Sequence, residues 1–151
     1  MATYSFRDVQ ATIVGPGGAF SLGSDRAVAN EGITFDFVGD RNTMTTGAGT
    51  AVMHSLKAAR PALVTVRLMK TSGANGLLAV MFDLQASSSA LWGINTIVVS
   101  DLARGDVATG LNCAFQKFPD NAWGTEGNIL TWAFQAAQAH EILGIAANLA
   151  G

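Results

Sequence analysis

Glu31, Asp36 and Asp40 are the residues whose type and spacing come nearest to catalytic chemistry, because paired carboxylates can divide proton donation and acceptance between them. Alternation places Asp36 and Asp40 on one face if a strand runs unbroken through Gly39. With no aromatic sugar platform or cleft in the pattern around them, they read as solvated acids on a strand face. His54 and His140 have no H-x-x-x-H or C-x-x-C companion, so a metal site would need scattered ligands, and both read as surface or interface polar groups. Cys113 is the sole cysteine, which excludes an internal disulfide; flanked by alternating apolar residues, it reads as a small buried hydrophobe rather than a reactive thiol. GPGGAFSLG lacks the GK[ST] ending of a phosphate loop and joins strands, so it is a tight turn. No G-x-S-x-G elbow occurs, and Trp92, Trp123 and Trp132 read as core or interface anchors. The sequence thus predicts neither catalysis nor a cofactor or metal.

The elements that carry these residues are mostly strands of period two. Val9, Ala11 and Ile13 alternate with Gln10 and Thr12, GPGG turns the chain, and Ala19 to Leu22 returns. In EGITFDFVGDRNTMTTGAGTAVMHS, Ile33, Phe35 and Phe37 share one face and Thr34 and Asp36 the other; the chain then turns at Gly39 to Asn42. It continues into a long, charge-poor excursion, and Ala51 to Leu56 is expected to return against the strand that opened the passage. After Arg60-Pro61, Val64, Val66 and Leu68 oppose Thr65 and Arg67. The one helix is expected at about 73–86, capped by Ser72, with Ala74, Leu77, Leu78, Met81 and Leu84 on its apolar face, Asp83 and Gln85 opposite, and SSS at its end. Three strands follow. The first is Thr96 to Ser100. In the second, Val107, Leu111, Cys113 and Phe115 oppose Asp106, Ala108, Gly110, Asn112, Ala114 and Gln116. In the third, Leu130, Trp132 and Phe134 oppose Thr131, Ala133 and Gln135. The expected architecture is a single domain over 1–151, mainly β: an antiparallel sandwich or barrel of two packed sheets, with one flanking helix and an extended loop.

Composition bears on partners. The net charge is −2 and the isoelectric point about 5.5, so nothing draws the chain to nucleic acid or an anionic membrane. Charged residues are 13% of the chain, about half the usual ~25%, while hydrophobic residues reach 49%. No apolar run reaches the roughly 18 residues of a membrane span. Either a well-filled core sits under a surface of Ser, Thr, Asn and Gln, or much of the surface is covered by other copies, since obligate interfaces are apolar and poor in charge. The strand faces favour the second reading, because they carry Thr, Ala, Gly, Asn and Gln in place of Lys and Glu, which permits close approach by another backbone. MATYSFRDVQ has no basic segment followed by an apolar block, so export is not expected and the chain should mature in a cytoplasm.

The blocks SFRDVQATIVGPGGAFSLGS, EGITFDFVGDRNTMTTGAGT with VMHS, VTVRLMKTS, WGINTIVVSDLARGDVATGLNCAFQKFPD and WAFQA resemble the tail tube proteins of contractile-tailed bacteriophages over essentially the whole chain. That resemblance implies the fold of the type VI secretion tube protein: six copies in a ring, rings stacked into a hollow tube within a contractile sheath, and one sheet of each copy joining its neighbours around a lumen that passes DNA. It also implies a loop or hairpin reaching onto adjacent subunits. Here that segment would be Asp40, Arg41, Asn42, Thr43, Met44, Thr45, Thr46, Gly47, Ala48, Gly49 and Thr50, through to Met53, with threonines hydrogen-bonding across subunits and methionines filling gaps on a partner. Otherwise the stretch is a flexible hairpin loop.

Under the same resemblance, a conduit needs a neutral or acidic lining, since a polycation would grip phosphates. Thr34, Asp36, Asp106, Ala108, Asn112 and Gln116 are the lining candidates, and Arg41, Lys57, Arg60 and Lys70 the candidates for touching the sheath. The implied partners are the chain itself, the sheath protein, a baseplate hub or tube initiator, and the tape measure protein and DNA in transit, with no stable membrane contact. The implied location is the virion tail, assembled in the bacterial host cytoplasm. The alternatives are a single ring of a baseplate or tail terminator, the tube of a phage-derived injection system, and a monomeric β-sandwich that binds a ligand.

Overall fold

The computed structural model describes residues 3–5, 9–23 and 28–144, with residues 23 and 28–31 described by backbone alone. The strands are β1 (Val9–Gly15), β2 (Gly18–Gly23), β3 (Val28–Phe37), β4 (Asn42–Thr46), β5 (Val52–Leu56) and β6 (Ala62–Met69). The helix α1 (Ala74–Ala86) and a short 3-10 turn, Ser89–Leu91, precede β7 (Asn95–Asp101), β8 (Asp106–Lys117) and β9 (Ile129–Ile142). Seven strands form one curled antiparallel sheet in the order β2-β1-β7-β8-β9-β6-β3, and β4 and β5 form a separate sheet of two. The mainly β, antiparallel architecture with one helix is the one expected. One pairing differs: β5 returns against β4, not against β3, whose partner is β6. Gly39, at φ +78, ends the β3 direction after Phe37, so Asp40 does not continue the Asp36 face. The side chain of Glu31 lies outside the described residues.

The core lies inside the curl. Ile13, Leu22, Val64, Val66, Leu68, Ile97, Cys113, Phe115, Trp132 and Phe134 are all buried, with Ile33 and Phe35 of β3 packed against them. Each large side chain so buried contributes about 1.5–3 kcal/mol. Phe115 is the hub of an aromatic cluster, with ring centroids 4.7 Å from Phe134, 5.9 Å from Trp132 and 5.3 Å from Phe82.

Helix α1 closes one flank, but its buried side differs from the expected one. Leu78, Met81 and Gln85 are buried, while Leu77 and Leu84 are exposed. Gln85 points inward because Asn95 meets it as a reciprocal amide: Gln85 Nε2 donates to Asn95 Oδ1 (2.7 Å) and Asn95 Nδ2 donates to Gln85 Oε1 (2.8 Å). A buried amide with all its bonds made carries no desolvation penalty that would turn it outward. The N-cap is Gly73 rather than Ser72, although the Ser72 hydroxyl does accept from Ala74 N (3.3 Å).

The expected alternation of β8 fails at one point. Gly110 is buried and Leu111 exposed, whereas Cys113 and Phe115 are buried as expected. The cause is a bulge: Asn95 pairs with Cys113 but Ile97 pairs with Gly110, so β8 carries one more residue than β7 there. Asn112, at φ 52, takes the left-handed conformation that the extra residue requires, and asparagine tolerates it better than most.

Candidate assembly surfaces

The β4–β5 hairpin stands off the body. Every residue of both strands is exposed, including Met44 (59%), Met53 (59%) and Leu56 (80%). No charged side chain occurs between Asn42 and Leu56. Its backbone bonds are made within the hairpin, in the register Asn42↔Leu56, Met44↔His54 and Thr46↔Val52, so the threonine backbones do not wait for a neighbour on that side. The turn closes through Gly47 N to Ala51 O (2.8 Å), with Gly49 at φ +88. Asn42 Nδ2 and His54 Nδ1 meet across the strands at 3.1 Å, and at the root Arg41 Nε donates to Lys57 O (2.9 Å). The register puts Met44, Val52 and Leu56 on one face and Thr43, Thr45, Met53 and Ser55 on the other. Leu56 extends the apolar surface beyond the stretch expected from the sequence; its alternation with His54 was the available sign. An isolated two-stranded hairpin is marginal in water. This one exposes apolar side chains on both faces.

The sheet divides the lining candidates. Asp36, Leu63, Gln135 and Ala114 form one row across four strands, and Thr34, Thr65 and Ala133 form the next, all on the side away from the core. Arg67 Nη1 donates to Thr34 Oγ1 (3.2 Å) on this same side. Gln116 is the extra residue of a bulge against Ala133 and is exposed there. Asp106 and Ala108 lie opposite, because the bulge at Asn112 has exchanged the two faces. Ala108 pairs with Val99 and Val99 with the buried Ala11, while Asp106 pairs with the buried Asp101. Asn112 sits at the exchange point and is exposed.

The sheath candidates also divide. Arg41, Lys57 and Arg60 gather at the hairpin root, where Arg60 Nη1 lies 3.3 Å from His140 Nδ1 beside an open recess of about 370 Å³ lined by Phe37, Arg41, Glu141 and Leu143. Lys70 is at the other end of β6. It donates to Ala122 O (2.7 Å) and lies 4.2 Å over the ring of Trp123, which is 85% exposed.

Among the described residues no three of His, Cys, Asp or Glu converge as metal ligands, and no helix is long and apolar enough to cross a membrane. Cys113 is fully buried; loss of hydration pushes its thiol up to about 11, against a smaller opposing pull from the Ile97 backbone. The folded state therefore favours the neutral thiol. That contribution to stability is complete below the unfolded thiol's pKa and is lost as the pH rises towards 11. Maleimide labelling at pH 8 should be at least about a hundredfold slower in the native protein than in denaturant. Comparable rates in the two states would place the thiol outside the core.

The chain matches the family described as Bacteriophage PhiTE tail tube protein over residues 1–144. None of the curated proteins matches it. Among solved structures, a chain in the cryo-EM structure of the anti-feeding prophage (AFP) baseplate, 6-fold symmetrised, superposes with a TM-score of 0.53 at 12% sequence identity, covering 94% of this chain and 96% of that one. At that identity the likeness is one of fold.

Proposed function

The chain belongs to the bacteriophage PhiTE tail tube protein family, and from that premise we propose that six copies close into a ring, that rings stack into the inner tube of a contractile tail, and that DNA leaves through its lumen. As a member of the family it is a structural virion protein and not an enzyme. The observation that carries the assembly reading is the hairpin, which is uncharged, exposed on every strand residue and clear of its own body. A second copy supplies what it lacks, an apolar surface to cover Met44, Met53 and Leu56. The two open edges of the large sheet, β2 and β3, leave backbone groups that a ring contact between neighbours would pair. The six-fold symmetrised baseplate containing a chain of this fold supports the choice of six.

In this reading the face bearing Thr34, Asp36 and Gln116 lines the lumen. Its rows are neutral apart from Asp36, Arg67 and Lys117; Lys117 is paired with Asp120 (3.8 Å), and Asp36 offsets the charge of Arg67, whose hydrogen bond to the Thr34 hydroxyl holds it in place without neutralising it. Such a wall lets a polyanion slide. Replacing Asp36 with Lys should leave rings intact but slow genome release several-fold, more at low salt than at high, because each phosphate contact carries counterion release. Unchanged ejection kinetics would remove this face from the lining. The sheath would meet the opposite wall, and assembly would start on a baseplate hub in the host cytoplasm around the tape measure protein.

Negative-stain microscopy of the purified protein tests the main reading: stacked rings or tubes are expected, and a monomer at high concentration would overturn it. The likeness to a baseplate chain favours a second reading, a single ring at the tube's base. Rings that never stack would select it.

A further inference from the structure

We propose that the buried Gln85–Asn95 amide pair, acting through the bulge at Asn112, sets the curl of the sheet and with it the number of copies that close a ring; the second half of this rests on the assembly reading above. Two bulges lie side by side. Beyond Cys113, β8 has one residue more than β7. Beyond Ala136, β9 has one more than β6, since Ala62 pairs with Ala136 while Ala139 N donates to Arg60 O (2.8 Å). Between these points β8 and β9 keep an unbroken register, Gly110↔Ala139, Leu111↔Gln138 and Cys113↔Ala136. Both central strands therefore change face together, burying Gly110 with Cys113 and Ala136 with Ala139. Extra residues on the inner pair of a sheet, against its outer neighbours, fold that sheet along a line.

The amide pair is fastened to this line from inside. Asn95 Nδ2 donates to the carbonyl of Cys113 (3.1 Å), the residue next to Asn112, and Gln85 Nε2 donates to the carbonyl of Pro16 (2.9 Å) in the β1–β2 turn. Four elements meet at two side chains: α1, the β1–β2 turn, β7 and β8. There is no slack, since a Cβ on Gly15 would overlap Asn95 Oδ1. Among the described residues Asn112 is the one non-glycine with positive φ, and the Asn95 bond to the Cys113 carbonyl holds the backbone immediately beside it. The fold line lies between the open edges β2 and β3, so it fixes the angle at which one copy presents itself to the next. Ring closure is sensitive to that angle: each copy turns the wall by about 60° in a ring of six and about 51° in a ring of seven. A change of about ten degrees alters the count.

Gln85→Leu/Asn95→Leu keeps the shape of the pair and removes its grip on Cys113. Asn112→Val disfavours the left-handed backbone at an exposed position and leaves the core intact, whereas Asn112→Gly permits it. Backbone NMR shifts of residue 112 and ring counts by electron microscopy are the two readouts, with circular dichroism as the check on folding. The double leucine variant should lose the left-handed signature at Asn112. It and Asn112→Val should form rings of altered or mixed count, or none, while Asn112→Gly keeps the wild-type count. A left-handed Asn112 retained in the double leucine variant overturns the proposal, as do wild-type rings from either disrupted variant. If the wild type itself forms no ring, the assembly reading fails, and the NMR readout still decides the link between the amides and the bulge.

Discussion

Met44→Glu/Met53→Glu should abolish assembly and leave the fold untouched. The two methionines lie on opposite faces of the hairpin, each 59% exposed, so no core contact is lost when they change. Surface substitutions of this kind shift stability within about ±0.5 kcal/mol, and the thermal midpoint should stay within a few degrees. In the assembly proposed above the same positions would face an apolar partner surface, where an unpaired carboxylate would cost several kcal/mol. At about 2 kcal/mol for each glutamate, every hairpin contact weakens roughly a thousandfold, and an assembled ring repeats that contact. Sedimentation velocity should then show monomer at concentrations where the wild type is assembled. Met44→Leu/Met53→Leu, which preserves apolar volume, should assemble. Rings from the glutamate variant indistinguishable from wild type would mean that the hairpin points into solvent in the particle, and the observation on which the functional reading stands would be gone.

That hairpin was legible in the sequence because it breaks a rule of composition. Threonine, glycine and methionine without one charge, in a stretch too polar for a core, cannot be buried alone and is a poor solvent-facing loop. What alternation could not show was the partner of the returning strand. Ala51 to Leu56 has no feature that distinguishes pairing with β3 from pairing with β4, and Gly39 at φ +78 settles it by turning the chain away after Phe37.

The other departures share one cause. A period of two is read along a strand, and a bulge is a property of two strands. Asn112 carries the only local sign, an asparagine in an otherwise apolar-alternating run, and such residues are usually ordinary exposed ones. Its consequence is large: Asp106 and Ala108 go to the opposite side of the sheet from Thr34, Asp36 and Gln116. Gln85 was placed on the exposed face of α1 because glutamine is polar. Its burial depends on Asn95, ten positions away, and on two backbone carbonyls brought in by other elements. Polar networks of this kind exist only in three dimensions, whereas the apolar core of Val64, Val66, Leu68, Trp132 and Phe134 could be read directly from the sequence.

Trp132→Ala should cost about 3–5 kcal/mol, a large part of the 5–15 kcal/mol that holds a domain of this size together. Trp132 is 1% exposed, packs edge-on against Phe115 (5.9 Å) and Phe118 (5.3 Å), and donates from Nε1 to Asn75 Oδ1 (2.9 Å). Asn75 in turn donates to Met69 O (2.9 Å), so the indole also anchors the first turn of α1 to the end of β6. Alanine leaves a cavity that the rigid aromatic neighbours cannot fill and frees that turn. Phenylalanine should recover most of the loss, leaving a deficit of about 1 kcal/mol for the missing indole N–H bond. Urea unfolding measures both, and a loss below about 1 kcal/mol for the alanine variant would mean that the core is not organised around this ring. The contrast with the hairpin variant tests the division of labour. The tryptophan substitution should reduce stability and assembly together, because the hairpin and the sheet edges are held by the core. The glutamate pair should remove assembly alone. If instead the glutamate variant unfolds in parallel with its loss of rings, the hairpin is part of what stabilises a single copy, and the separation between a self-sufficient body and an extension made for a neighbour does not hold.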